Sequence, residues 1–326
     1  MQTLVFGATG FIGGHIARAA LSRGWKVRGL RRRPDAVGAI ADVADQIEWV
    51  QGELPFDNRG SPNLREVMRG CEVVFHAAAA YPRSERDAAR WVSRSVRQMR
   101  AVLQAADEAG VQRLVYTSTL TTVGRSSDPN RIADERDYYV PGTARSVYYE
   151  AKFAMEMEAW CAAAQGLPVV ILIPTAVFGP GDVKPTTGEV LLRVAKGQIP
   201  VYFDAAVNAV DVRDVAHAHV DAVERGRTGQ RYIIGGHNLT LQELLTTTAR
   251  VAGVQPPAWK LSTRTVDGLI NMGDVLHLPL PDLTKTIRLW QPLSSEKARR
   301  ELGLSPRPFE ATARDTITWF RERGYL

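Results

Sequence analysis

A short apolar run that breaks into spaced glycines and resumes as a helical pattern narrows the possible folds of this chain more than any other feature. The stretch is "TLVFGATGFIGGHIARA", residues 3–19. Leu4, Val5 and Phe6 read as a buried strand, and Ile12, Ile16 and Ala20 then recur at helical spacing. Gly7, Gly10 and Gly13 occupy the seam. A glycine-rich junction of this kind leaves backbone N–H groups bare at a helix N-terminus, where the helix dipole favours a phosphate. Gly7 supplies a tight turn, Gly10 lets a pyrophosphate approach the backbone, and Gly13 lets the helix pack close to the strand. A plain strand–turn–helix would also use glycine. The position after a strand and before a helix favours nucleotide binding. The spacing is G-x-x-G-x-x-G, not the commoner G-x-G-x-x-G.

Apolar runs at 3–6, 26–30, 47–50, 72–76, 113–117 and 169–173 alternate with helical patterns at 11–22, 63–68, 88–109 and 147–164. Strands separated by helices imply right-handed crossovers and a parallel sheet covered on both faces. The fold class expected is α/β, a Rossmann-type doubly wound parallel sheet with a smaller, mostly helical C-terminal substrate domain. The nucleotide domain is placed at 1–173, with 209–236 returning to it. The substrate domain takes 174–208 and 237–326, where amphipathic stretches fall near 241–251, 295–302 and 311–320. Between them "PTAVFGPGDVKPTTG" (174–188) is too long for a simple connector and reads as a functional loop.

With 326 residues, 45% of them hydrophobic, the chain has ample material for a packed core. No charged leader precedes the first strand, so no secretory signal is expected. The longest apolar run, "LPVVILIP" at 167–174, is too short to span a membrane. Cys71 and Cys161 lack metal-ligand spacing and suit reduced thiols in a cytoplasmic protein. His217 and His219, two apart on a helix, make a poor metal pair, and no metal is expected. Ser118 has no histidine and aspartate at the spacing of a hydrolase triad. The net charge of +6 comes mostly from arginine. Arg83, Arg86, Arg90, Arg94 and Arg97 share one helical face, read as a solvated stripe rather than a nucleic-acid surface. The expected partner is a small-molecule substrate. A homodimer is left open.

A second constellation is "YYEAK", residues 148–152. Tyr148 and Lys152 stand four apart on one helical face, roughly 6 Å between Cβ atoms. An ammonium beside a phenol favours the phenolate, so the tyrosine can exchange a proton with a substrate oxygen. Tyr149, three residues from Lys152, is the rival. "RLVYTSTL" (113–120) is a strand that ends in hydroxyls, on the sheet edge where open α/β folds bind ligands.

Together "GATGFIG", "FHAAA" (75–79), "VYTST", the Tyr148/Lys152 pair and "IPTAVFGPGD" (173–182) stand in the order found in the short-chain dehydrogenase/reductase superfamily. The sequence resembles its extended, atypical branch, the NAD-dependent epimerase/dehydratase family. Within it the likeness is nearest to dihydroflavonol-reductase-like and hopanoid-associated sugar-epimerase-like proteins. "VDVRDVAHAH" and "RYIIGG…LTLQEL" carry the resemblance on to Leu244. It implies Thr119 as the hydroxyl that orients the substrate oxygen, Tyr148 as the general acid/base, and Lys152 as the group that depresses its pKa and bonds the nicotinamide ribose. Pro174 and Val177 would border the nicotinamide, and Ala77 and Ala78 would lie along the cofactor. The cofactor-binding set is completed by Gly7, Thr9, Gly10, Phe11, Ile12, Gly13, Arg31, Arg32, Glu53, Leu54 and Thr117. Lys184 and Thr186 are the candidates for substrate contact. Three positions depart from the family pattern: Ser95 stands for an expected Asn, Glu53 for an Asp and Thr119 for a Ser.

NAD enzymes of this fold usually close the second strand with a carboxylate for the ribose 2′-OH. Here "KVRGL" runs into "RRRP", which puts Arg31 there and favours NADP, with NAD the alternative. The function expected is an NADPH-dependent oxidoreductase reducing a small carbonyl compound to an alcohol. The alternatives are a sugar-nucleotide epimerase or dehydratase and a non-catalytic dinucleotide sensor.

Overall fold

The computed structural model describes residues 1–54, 63–78, 88–144, 146–262, 264–266, 268 and 289–326. Its first half runs β1 (Gln2–Phe6), α1 (Phe11–Ser22), β2 (Lys26–Arg31), β3 (Ile47–Gln51), α2 (Leu64–Met68), β4 (Val73–His76), α3 (Ala88–Glu108), β5 (Arg113–Thr117), α4 (Val147–Ala164) and β6 (Val169–Pro174). There follow β7 (Ala176–Phe178), α5 (Glu189–Ala195), β8 (Val201–Phe203), β9 (Ala206–Asp211), α6 (Val212–Arg225) and β10 (Arg231–Ile234). The chain closes with β11 (His237–Thr240), α7 (Leu241–Ala252), β12 (Trp259–Leu261), α8 (Glu296–Leu302) and α9 (Phe309–Glu322).

Seven parallel strands form the large sheet in the order β10-β6-β5-β4-β1-β2-β3. Successive side chains on a strand point to opposite faces, so both must be apolar when helices cover both. Val5, Phe75, Val115 and Leu172 accordingly pack with Ile16 of α1 and Val215 of α6. Leu4, Val74, Leu114 and Ile171 pack on the other face with Met99 of α3 and Met155 of α4. The strand order reverses between β1 and β4, which opens a crevice at their carboxyl ends.

Gly7 takes φ +89, and a Cβ there would lie 3.0 Å from the Ala77 backbone. A Cβ on Gly13 would come within 2.2 Å of the Gly7 carbonyl oxygen. Only glycine permits this closeness of α1 to the end of β1.

A second core gathers Phe178, Leu191, Val207, Leu244, Phe309 and Ile317 around a small sheet, β11-β9-β7. Thr240 and Glu243 form a capping box at the start of α7, and Gly253 closes it in the left-handed conformation. Two elements lie where the units meet. Strand β9 pairs in the small sheet and puts Val207 and Ala209 in the second core, while its Val210 already belongs to the core of the large sheet. Helix α8, expected in the second unit, instead buries Ala298 and Leu302 in the core beside α6. Edge strand β10 offers apolar surface, and α8, about sixty residues further along the chain, packs on it.

Candidate active site

The glycine seam places the first turn of α1 at the crevice. Gly10 caps that helix without a side-chain bond, so its first amides keep their hydrogen-bonding capacity. Ala77 and Ala78 leave the end of β4 against Gly7. Thr9 lies beneath the turn at Gly38, whose added Cβ would sit 2.1 Å from the Thr9 carbonyl oxygen. At the end of β2 the Arg31 guanidinium stacks over the Trp49 ring, 4.9 Å from its centroid. Arg32 and Glu53 face each other at 3.4 Å in solvent, and Leu54 is buried.

A cleft of about 490 Å³ opens at the other side of the crevice. It brings together Phe11, Ile12, Ala77, Thr117, Thr119, Tyr148, Lys152, Pro174, Val177 and Thr186 from the sequence-derived set. Thr119 follows β5, where the chain turns into a short 3-10 segment, and its carbonyl accepts from the Thr122 amide at 3.0 Å. Tyr148 lies in the first turn of α4, half-buried, while Tyr149 is buried against Tyr139. Lys184 is exposed and does not line the cleft. Ser95 is buried in α3 and does not line it either.

Lys152 is buried, and its Nζ donates to the Thr117 carbonyl at 3.1 Å and, at the long limit, to the Tyr116 hydroxyl at 3.5 Å. Burial pulls its pKa down to about 8, opposed by the nearby Glu156 carboxylate. The lysine is thus a mostly charged donor at neutral pH. Burial also pushes the Tyr116 phenol well above its usual value. The Thr117 hydroxyl donates to Nε2 of His219 at 2.8 Å. Nδ1 of His219 faces the Val215 carbonyl at 2.8 Å, so these partners assign the proton to Nδ1. Burial depresses its pKa to about 4 and keeps the ring neutral. His219 is therefore a core hydrogen-bonding group.

Leu120, Thr175 and Pro185 line the cleft from stretches already marked by the sequence without being singled out, whereas Glu189 and Trp290 carry no local sequence signal. Trp290 arrives from far along the chain and could be found only through tertiary contact. Among the described residues no cluster of His, Cys, Asp or Glu could hold a metal ion, and no helix is long and apolar enough to cross a membrane.

Comparison with known proteins fits this geometry. The family model "NAD dependent epimerase/dehydratase family" matches residues 3–235. A Synechocystis protein named "Putative dihydroflavonol 4-reductase" is 35% identical, over 99% of this chain and 95% of its own length. Sterol demethylase protein B of Methylococcus capsulatus is 32% identical across the whole of both chains. Among solved structures, a nucleoside-diphosphate-sugar epimerase from Pseudomonas aeruginosa superposes with a TM-score of 0.85 at 29% identity, covering 100% of this chain and 99% of that one.

Proposed function

The chain belongs to the NAD-dependent epimerase/dehydratase family of the extended short-chain dehydrogenase/reductases, and we propose that it is an NADPH-dependent reductase of a small carbonyl compound. The observation that carries reduction over sugar-nucleotide epimerisation is the cleft wall. Among the described residues that line it, the only charged side chains are Lys152 and Glu189. A nucleotide sugar brings a diphosphate, whose recognition calls for arginine or lysine forks. Leu120, Tyr149, Pro185 and Trp290 instead suit an uncharged, largely apolar molecule.

The residues present fit a dinucleotide. Gly7 and Gly13 let the first turn of α1 close on the end of β1, which brings its first amides to the crevice where a diphosphate can be held, and Arg31 is a cation where a carboxylate would mark NAD. Arg31, Gly10, Ala77 and Lys152 would hold the cofactor, which in its reduced form supplies a hydride. The protein's own part is the proton. Tyr148 Oη would donate it to the carbonyl oxygen of the substrate, so that an alcohol forms and the tyrosine is left as the phenolate. The Lys152 ammonium lowers the energy of that phenolate. The Thr119 hydroxyl donates to the same oxygen and orients it.

The test follows absorbance of reduced nicotinamide with purified protein and a panel of aldehydes and ketones. Stoichiometric loss of NADPH with alcohol formed is the expected result. Tightly retained dinucleotide, an inverted nucleotide sugar and no net NADPH change would overturn the reading.

A further inference from the structure

Behind the cleft lies an ion pair for which the proposed chemistry has no use. Glu156 stands one helical turn after Lys152 on α4, and both are buried. One carboxylate oxygen accepts from the Ser118 hydroxyl. The other lies 2.7 Å from Nε of Arg231, the first residue of β10. That approach is a charge contact, not an aligned hydrogen bond. Arg231 is held in turn: it donates to the Thr122 carbonyl at 3.0 Å and the Glu135 carbonyl at 3.2 Å, and lies over the Tyr138 ring. Side chains from α4 and β10 and the turn after β5 therefore meet on a single carboxylate.

Resting on the reading that Thr119, Tyr148 and Lys152 do the chemistry, we infer that Glu156 is a positioning residue that fixes Thr119 and Lys152 from behind the cleft. Two links carry it. Ser118 immediately precedes Thr119, so anchoring its hydroxyl anchors the backbone from which the Thr119 side chain projects. The second link is electrostatic. Lys152 faces His76 from β4, Tyr116 from β5, and Tyr148 and Glu156 from its own helix, with Arg231 from β10 beyond the carboxylate. His76 is neutral, its pKa pushed to about 3 by burial and then by Lys152. Glu156 is the anion in that set, and it opposes the desolvation that would strip the lysine of its proton. A buried ion pair is weak evidence of added stability, and its retention is better explained by the groups that it holds in place.

The experiment measures dinucleotide affinity by fluorescence from pH 6 to 9.5, with NADPH and with NADH, for the wild type and Glu156→Gln. In the wild type, affinity falls above about pH 8 as the lysine loses its charge. In Glu156→Gln that fall begins about a unit lower. At pH 8 the variant then binds about fivefold more weakly, approaching about tenfold only well above that pH, and at pH 6 it matches the wild type. A folded variant with an unchanged alkaline limb overturns the inference. If Glu156→Gln fails to fold because Arg231 is left unpaired, Glu156→Gln/Arg231→Gln removes both charges and is read in the same way. Ser118→Ala separates the links: turnover falls while the alkaline limb stays in place. Loss of the limb in Ser118→Ala, or full turnover, removes the Thr119 link. These binding profiles do not depend on carbonyl turnover. A wild type without any limb near pH 8 removes Lys152 from the cofactor site, and the inference with it. A wild type with the limb but no carbonyl reduction sinks only the reductase reading.

Discussion

At the α4 end of the crevice Lys152, Glu156 and Arg231 carry their charges with 6%, 0% and 3% of their surface exposed. At the β2 end Arg32 and Glu53 face one another with 74% and 53% of their side chains in water. Both ends belong to the same crevice, yet the same kind of charge has different consequences in each. In a dry site Coulomb interactions are strong and every partner matters, whereas solvent screens exposed pairs to a few tenths of a kcal/mol. On the function proposed above, the dry end sets protonation states and the wet end sorts ligands by charge. Arg31 lies between these extremes, half-buried and braced against Trp49.

The comparison is most easily broken at Tyr148. Tyr148→Phe should lower carbonyl turnover by about 10²–10⁴-fold and leave the NADPH dissociation constant nearly unchanged. Tyr149→Phe should keep most of the activity, because Tyr149 is packed against Tyr139. Steady-state kinetics beside fluorescence titration separates the two, and an inactive Tyr149→Phe with an active Tyr148→Phe would reverse the roles.

The next effect is on stability, and its sign follows from the buried imidazoles. His76 and His219 hold folded-state pKa values of about 3 and about 4, below the unfolded value near 6.5. Between those limits the unfolded chain binds more protons, so stability falls as the pH drops below 6.5. Each ring contributes about 1.4 kcal/mol per pH unit until its folded pKa is reached. Among the described residues neither ring nitrogen of His76 has a hydrogen-bond partner, and the ring packs between Phe6 and Tyr116. Denaturant melts at pH 7 and pH 5 should show His76→Leu losing less stability on acidification than the wild type. An unchanged loss would mean that another group carries the acid sensitivity.

A smaller shift is expected at Arg31. The wild type should bind NADPH at least about tenfold more tightly than NADH, a difference of roughly 1.4 kcal/mol, and Arg31→Asp should reverse the order. Equal affinities in the wild type, measured by titration, would remove Arg31 as a selector. The smallest effect belongs to the wet pair. Arg32→Gln should leave the melting temperature within about 2 °C of the wild type. A larger drop would show that this end is not as screened as its exposure implies.

Much of the large sheet was legible because its strands are continuous apolar runs and its helices keep a regular stripe, both local patterns. The runs at 113–117 and 169–173 match β5 and β6 to within a residue, and the helix at 147–164 matches α4. The small sheet was not legible. Its strands are short, three to six residues, and both of its pairings join strands about thirty residues apart. Helix α8 was legible as an element while its packing partner α6 was not, since amphipathicity tells that a face will be buried and not against what.

The site divides in the same way. Glycine spacing, the Tyr148/Lys152 interval and the charge closing β2 are written in neighbouring residues, because backbone conformation, helical pitch and strand ends are local properties. The burial of Lys152 to a pKa of about 8 needed α4 to lie on β4 and β5. The carboxylate of Glu156 reads as an ordinary helix residue until β10, from the far edge of the sheet, delivers Arg231 beside it at 2.7 Å. Trp290 reaches the cleft wall from still further along the chain. The sequence by itself determined which groups are present and which of them share a turn of helix or the end of a strand. Tertiary structure alone decided which of those groups are dry, and dehydration is what turns a lysine and a glutamate into a coupled pair.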